Sequence, residues 1–210
     1  MDIKTIKQNL RSFYNQEAEQ RNAGERHYWK HEARNIFRDL CLANNKRTLL
    51  ELGAGPGHDS AFFMENGFDV TAVDLSCEMV RLCREKGINA HELDFYNLGI
   101  LNCTYDCVWA MNSLLHVPKA DLPNILQDID AILNDGGLFF MVVYGGVDAE
   151  QDRWFDSYDA PRFFASYSKA NLRFILQNVF DIIQFEEFDV GRGADLQQQM
   201  IFMRKKALLL

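Results

Sequence analysis

Apolar residues recur every three or four positions in several segments of this chain, which is the spacing of one buried face of an α-helix. The first segment with this spacing carries Ile3, Ile6, Leu10, Phe13 and Tyr14. The same pattern predicts further helices over 29–42, 59–66, 76–86, 121–133 and 169–177. Gly67 and Gly87 follow two of these helices, at the position where a helix commonly ends in glycine.

Short and mostly apolar runs between the helical segments predict β-strands. They cover 48–52, 68–73, 88–93, 105–111, 138–144, 181–188 and 199–203. Strands that alternate with helices form parallel βαβ units with right-handed crossovers, so we expect an α/β fold with a doubly wound sheet. Only a polar loop joins the last two runs, which predicts that these two strands are antiparallel.

Glycines stand at alternate positions directly after the first predicted strand, as Gly53, Gly55 and Gly57, and Asp74 ends the second strand. Glycine lets the backbone approach a ligand closely, and an acid at a strand end can bind a ribose. The dinucleotide fingerprint G-x-G-x-x-G would need its third glycine at position 58, where this chain has His58. An NAD-dependent dehydrogenase is therefore the weaker interpretation.

The run from Glu51 to Gly57 has the form Glu-x-Gly-x-Gly-x-Gly and resembles the first motif of class I S-adenosylmethionine (SAM) dependent methyltransferases. Asp74, Asp94 and the segment 109–118 follow in that family's order, so the resemblance covers about 49–143. It implies a Rossmann-like sheet of seven strands in the order 3-2-1-4-5-7-6, with strand 7 antiparallel. It also implies SAM as cofactor and S-adenosyl-L-homocysteine (SAH) as product.

The resemblance further implies a set of cofactor-binding residues: Tyr14, Glu51, Gly53, Gly55, Gly57, Asp74, Leu75, Met79, Asp94, Phe95 and Met111. In this interpretation Asp74 accepts the ribose hydroxyls, Asp94 faces the adenine amino group and Met79 packs on the adenine. Two alternatives stay open. Met79 fits equally a core position on an amphipathic helix, and Asp94 fits an ordinary acid at the start of a loop.

His116 is the candidate acid–base residue, because a neutral imidazole can take a proton from an acceptor near pH 7. A structural role for His116 is the alternative. Substrate-binding candidates come from the N-terminal segment and from the aromatic stretch after the fifth strand: Tyr28, Trp29, His116, Trp154 and Arg162. These aromatic side chains would enclose a flat or apolar acceptor, or else fill the space between a surface loop and the sheet.

We expect one methyltransferase domain over residues 1–210. Its parts would be a helical lid (1–45), a SAM-binding core (46–144), a substrate-side insertion (145–168), and a closing helix with a β-hairpin (169–210). The expected reaction moves a methyl group to an O, N or S atom of a small-molecule acceptor by in-line displacement. The alternatives are a tRNA or protein methyltransferase, and a SAM-binding protein without transferase activity. A monomer or a homodimer is expected.

Composition limits the classes of binding partner and the cell compartments that we expect. Hydrophobic residues make up 48% of the 210 and charged residues 25%, which is typical of a globular protein. The net charge of −8 disfavours a nucleic-acid partner. The five cysteines form no Cys-x-x-Cys pair, and the histidines have no metal-ligand spacing, so we expect no metal and a reducing, cytoplasmic location. No signal peptide and no run of ~18 apolar residues is found, so no membrane partner is expected.

Overall fold

The structure is a computed structural model that describes residues 2–153, 161–189 and 196–207. Within these residues nine strands form a single sheet. The strands are β1 (Thr48–Leu52), β2 (Asp69–Asp74), β3 (Asn89–Glu92), β4 (Tyr105–Met111), β5 (Leu133–Gly146), β6 (Ala149–Arg153), β7 (Arg162–Tyr167), β8 (Phe180–Asp189) and β9 (Leu196–Lys205). The helices are α1 (Ile3–Gln16), α2 (Ala18–Ala23), α3 (Tyr28–Ala43), α4 (His58–Glu65), α5 (Cys77–Glu85), α6 (Leu122–Ile132) and α7 (Lys169–Gln177).

The sheet has the predicted doubly wound topology. Strands β3, β2, β1, β4 and β5 lie side by side in that order and run parallel. Beyond β5 follows β9, which runs antiparallel to it, and β8 pairs with β9. The predicted α/β fold and the order 3-2-1-4-5 are thus confirmed. The prediction of seven strands with the seventh antiparallel was wrong, because the described residues form nine strands and the antiparallel strand beside β5 is the ninth.

Two strands were not predicted, because the stretch 145–168 was interpreted as an insertion. β5 continues to Gly146 and its end pairs with β7, where Tyr144 lies opposite Ser166. This seventh strand runs parallel to β5, and β6 pairs antiparallel with β7. Pairing between distant segments makes this extension, so no local periodicity marks it. Helix α2 has only six residues and was also missed.

Each face of the sheet is covered by helices. Apolar residues of α1, α6 and α7 pack on one face, against side chains such as Leu50 and Met141. Helices α3 and α4 cover the other face, where the Trp109 and Phe140 rings stack with centroids 3.9 Å apart. The free thiols of Cys41 and Cys107 meet in this layer, with their sulfur atoms 3.0 Å apart. None of the helices among the described residues combines the length and apolar character that a bilayer crossing needs.

Helix α1 lies across the carboxyl ends of the first strands and so frames the site. Arg11 Nε donates to the carbonyl oxygen of Leu75, directly after β2, at 3.2 Å. The hydroxyl of Ser76, which caps α5, donates to Asn15 Oδ1 at 2.6 Å. Because parallel strands all end at the same edge, the glycine loop, Asp74 and the end of β4 lie together beneath this helix.

Candidate active site

The glycine loop after β1 is held in a left-handed conformation. Gly53, Gly55 and Gly57 have φ angles of +70°, +56° and +85°. A Cβ at Gly53 would lie 2.5 Å from the Cβ of Ser113, and one at Gly57 would lie 2.6 Å from Ile88 Cδ1. A Cβ at Gly55 would meet nothing within 4 Å. Gly53 and Gly57 therefore allow close packing within the protein, and Gly55 borders open space where a ligand can approach the backbone.

Asp74 fastens this loop to the end of β2. Its Oδ2 accepts from the backbone N–H of Gly55 at 2.8 Å, and its Oδ1 accepts from the N–H of Ser76 at 2.9 Å. Burial raises the pKa of Asp74, and the two N–H groups counteract that rise. Each carboxylate oxygen keeps a further lone pair, so the same side chain can still accept hydroxyl donors.

A cavity of about 330 Å³ lies between α1 and the ends of β2 and β3. Its walls consist of Ile3, Lys4, Lys7, Gln8, Arg11, Leu75 and Asp94. A second cavity of about 40 Å³ shares several of these walls and extends to Phe95, Tyr96 and His116. Three of the predicted cofactor residues, Leu75, Asp94 and Phe95, thus line open cavities at one edge of the sheet.

Asp94 already has protein partners. Its Oδ1 accepts from the backbone N–H of Tyr96 at 3.0 Å, so it caps the short 3-10 segment Phe95–Leu101. Its Oδ2 forms an ion pair with Lys7 Nζ of α1 at 2.9 Å. Asp94 therefore acts as the acid at the start of a loop, and a ligand that binds it must share it with Lys7.

The remaining predicted cofactor residues lie deeper in the protein. Met79 is 1% exposed and packs with Ala18 and Leu82, as the alternative interpretation of a core position predicts. It does not line either of the two cavities. Met111 ends β4 and packs with the layer under α3. Glu51 is buried and accepts a hydrogen bond from the Ser60 hydroxyl of α4.

Burial and the nearby negative charge of Asp59 raise the pKa of Glu51. Asp59 itself is buried and accepts hydrogen bonds from Arg26 Nη2 at 2.6 Å and from the indole N–H of Trp109 at 3.2 Å. Through its hydrogen bond from Ser60, Glu51 links β1 to α4 behind the glycine loop.

His116 is linked to Tyr14 of α1. Its Nε2 lies 2.6 Å from the Tyr14 hydroxyl, and its Nδ1 lies 2.7 Å from the carbonyl oxygen of Phe163. The carbonyl can only accept, so Nδ1 carries the proton and Nε2 accepts from Tyr14. Burial lowers the pKa of His116 to about 3, and burial likewise raises the pKa of Tyr14. Both side chains are neutral near pH 7, and His116 is a weak base.

The buried state of His116 predicts a pH-dependent stability. The unfolded chain protonates this histidine below pH ~6.5, whereas the folded chain keeps it neutral down to about pH 3. Stability therefore falls as pH falls through this window. Between pH 7 and pH 5 this group should cost roughly 2 kcal/mol. Urea unfolding at the two pH values measures it.

The contribution of His116 is isolated by comparing variants. His116→Asn should lose this pH dependence, whereas His91→Asn, at an exposed position of β3, should retain it. Equal pH dependence in the wild type and in His116→Asn would show that His116 is not kept neutral by the fold.

The predicted substrate residues separate into two groups. Arg162 Nη1 donates to the Tyr14 hydroxyl at 3.4 Å and therefore joins His116. Trp29 instead packs on Phe188 of β8, with ring centroids 5.3 Å apart, and Tyr28 is 74% exposed at the start of α3. Trp154 lies outside the described residues. The structure thus brings Tyr14, His116 and Arg162 together.

Sequence reasoning missed three basic residues of this site. Lys7 and Arg11 share one face of α1 with Tyr14 at i, i+4 and i+7, a spacing that was available in the sequence. Arg21 lies on the unpredicted helix α2, and its guanidinium carbon is 4.9 Å from the centre of the Tyr14 ring. Among the described residues, no three His, Cys, Asp or Glu side chains are placed to hold a metal ion.

Comparison with known proteins decides the family. A family model described as a methyltransferase domain matches residues 22–179, which is more than half of the chain. This chain belongs to that methyltransferase family. The assignment agrees with the motif order and with the strand order of the sheet.

Curated relatives of this methyltransferase-family chain match only in part. The malonyl-(acyl-carrier protein) O-methyltransferase of Enterobacter lignolyticus (strain SCF1) is 32% identical over 93 residues, 43% of this chain and 36% of that protein. The sarcosine/dimethylglycine N-methyltransferase of Aphanothece halophytica is 28% identical over 100 residues, covering 43% and 35%. The chain thus spans less than half the length of these curated relatives.

Solved structures match over nearly the whole chain. The 1,6-didemethyltoxoflavin-N1-methyltransferase of Burkholderia thailandensis, bound to 1,6-didemethyltoxoflavin and SAH, has a TM-score of 0.71 and 21% identity, covering 95% of this chain and 88% of that one. The magnesium protoporphyrin IX methyltransferase of Synechocystis PCC 6803, with bound SAM, has a TM-score of 0.69 and 15% identity, covering 98% of both chains. These similarities show the fold.

Proposed function

We propose that this protein transfers a methyl group from SAM to a small-molecule acceptor. One observation carries the proposal: a glycine loop that is open at Gly55 and fastened by Asp74, at the edge where β1, β2 and β4 end. Backbone without a Cβ beside an acid at a strand end suits an adenosine-containing ligand. The family assignment directs this general feature toward SAM.

The residues present fit such a ligand. Gly55 leaves room at the backbone, Asp74 has acceptor capacity for ribose hydroxyls, and Leu75 and Asp94 border the adjacent cavity. At the end of β4, the buried atoms Asn112 Oδ1 and Ser113 Oγ have no hydrogen-bond partner among the described residues. Buried polar atoms are normally satisfied, so partners supplied by a ligand at this edge would explain both.

Bound SAM supplies a methyl group on a positively charged sulfur, which an acceptor O, N or S atom takes as the carbon–sulfur bond breaks and SAH leaves. The chain contributes position and exclusion of water. Tyr14 donates to His116, and the carbonyl of Phe163 accepts from the other side of the imidazole, so three elements fix the position of the Tyr14 hydroxyl. Because His116 is a weak base, its role here is to position Tyr14. Alignment in a dry site supplies ~7 kcal/mol or more of barrier reduction.

A second candidate is an acceptor carried on a protein. Three of the matched relatives are named as methyltransferases of malonyl-(acyl-carrier protein), in which the acceptor group is attached to a carrier. The net charge of −8 disfavours a nucleic-acid acceptor. These relatives match over less than half of their own length, which weakens the case for a carrier-bound acceptor. A free small molecule therefore remains the first proposal.

Thermal unfolding of the pure protein with SAM, SAH or NAD tests the cofactor assignment. A ligand at 100 times its dissociation constant adds about 2.7 kcal/mol of stability, an easily measured rise in Tm. We expect SAM and SAH to raise Tm and NAD to leave it unchanged. A response to NAD alone, or to none of the three, would contradict the proposal. SAM and SAH binding together with SAH release during incubation with acceptors would then identify a transferase.

A further inference from the structure

The hairpin of β6 and β7 places two arginines opposite each other. Arg153 and Arg162 are paired across the antiparallel register. Their guanidinium carbons lie 5.3 and 5.0 Å from the centre of one ring, that of Phe164. Like charges directly opposite each other on adjacent strands destabilise a sheet. The stability of the hairpin therefore does not explain why two arginines are placed around one ring.

This pair lies beside the proposed methyl-transfer site. Arg162 Nη1 reaches the Tyr14 hydroxyl, and the ring of Phe164 is 4.9 Å from that of His116. The Tyr144 ring lies nearly parallel to Phe164, at 5.7 Å between centroids and an angle of 23°. Two guanidinium groups, two aromatic rings and the Tyr14 hydroxyl thus converge at the carboxyl end of β5.

Basic side chains gather here although the protein carries a net charge of −8. Arg21 lies 4.9 Å from the centre of the Tyr14 ring and also forms an ion pair with Glu17 at 3.7 Å. Among the described residues no carboxylate lies within ion-pair distance of the Arg153 guanidinium, whose Nε and Nη2 donate to the side-chain oxygen of Gln151 at 3.3 and 2.8 Å. A planar guanidinium binds a carboxylate through two parallel hydrogen bonds, and an aromatic ring beneath it keeps both groups in one plane.

We propose that Arg153 and Arg162 bind a carboxylate group of the methyl acceptor, while its flat or apolar part packs against Phe164 and Tyr144. That the bound acid is a methyl acceptor rests on the proposed function. That the two arginines bind a carboxylate does not. The acceptor class is therefore an organic acid with an apolar or aromatic portion. The anion would offset the repulsion between the two guanidinium groups.

Matched probes test the carboxylate without knowledge of the natural acceptor. Benzoate, benzamide and phenyl phosphate share a ring and differ in the head group. Each is titrated into the full chain by calorimetry, with saturating SAH and again without SAH. We expect benzoate to bind, benzamide to bind at least tenfold more weakly, and phenyl phosphate to bind no better than benzoate. Equal binding of benzamide, stronger binding of phenyl phosphate, or no binding of benzoate would overturn the proposal.

Variants locate the site. Arg153→Gln should weaken benzoate binding at least tenfold without lowering the Tm of the ligand-free protein, because it removes one of two opposed charges. Arg162→Gln should weaken it similarly. The control is Arg173→Gln on α7, where the Arg173 guanidinium lies 5.2 Å from the centre of the Phe185 ring. This substitution should leave benzoate binding unchanged. Unchanged benzoate binding in Arg153→Gln would contradict the assignment.

The SAH titration separates this inference from the proposed function. If SAH stabilises the wild type and no carboxylate binds, the methyltransferase proposal stands and the carboxylate site is wrong. If SAH fails to bind while benzoate binds in an Arg153-dependent manner, the anion site stands and the cofactor assignment is wrong.

Discussion

Replacing Asp74 with alanine should weaken SAH binding at least 100-fold, on the basis that two charge-assisted hydrogen bonds to a ribose contribute ~3 kcal/mol or more together. The substitution also frees the N–H of Gly55, which Asp74 fixes at 2.8 Å, so the glycine loop loses its anchor. Calorimetric titration of SAH into Asp74→Ala measures the loss. Urea unfolding should show that the variant still folds, with stability reduced by about 1–2 kcal/mol.

A matched control lies on the same strand. Asp69 is the exposed first residue of β2, at the end away from the site. Asp69→Ala should bind SAH like the wild type. If Asp74→Ala is folded and binds SAH within threefold of the wild type, the ribose does not bind at this edge, and the proposed site is wrong.

Alanine at Gly57 should lower stability more than alanine at Gly55. At Gly57 the new Cβ would lie 2.6 Å from Ile88 Cδ1 and 2.9 Å from Cys83 Sγ, in a left-handed backbone. Overpacking and backbone strain together should cost about 3 kcal/mol, or roughly 9 °C in Tm. At Gly55 the Cβ meets no protein atom within 4 Å, so only the strain of about 1–2 kcal/mol applies.

We expect the loss of SAH binding, unlike the loss of stability, to be larger for alanine at Gly55 than for alanine at Gly57. The Cβ of Gly55→Ala would occupy the open space that the proposed ligand needs, so SAH binding should fall at least tenfold relative to the wild type. Thermal unfolding and SAH titration on both variants check the contrast. If Gly55→Ala binds SAH normally, the ligand does not contact the loop at this residue.

Local patterns were sufficient for most elements of the core. The strands Thr48–Leu52 and Tyr105–Met111 and the helix Lys169–Gln177 have the bounds that the sequence predicts. These elements have strong apolar periodicity together with clear turn or cap residues at their ends. Ser76, the first residue of the predicted helix 76–86, caps α5 and accepts from the N–H of Met79. Strands β6 and β7 depend instead on pairing with the distant end of β5, which no window of the sequence contains.

Part of the candidate site could also be predicted from local sequence patterns. The glycine loop and Asp74 are local signals at strand ends, and both lie where the sequence predicts. The low pKa of His116 was not readable, because it results from burial between α1 and β7. The opposed pair of Arg153 and Arg162 likewise requires the register of the hairpin. Chemistry that depends on tertiary burial or on strand register has no local signature.

Hydrogen–deuterium exchange with and without SAH tests most directly whether this edge of the sheet binds the cofactor. Bound ligand should slow exchange in peptides that contain residues 53–57, 74–79 and 94–96, and in the part of α1 that carries Lys7 and Arg11. Peptides from α7 and β8, at the edge of the sheet that is remote from the glycine loop, should be unchanged. Protection confined to other segments, or none at saturating SAH, would contradict the assignment of the SAM site to the glycine loop and Asp74.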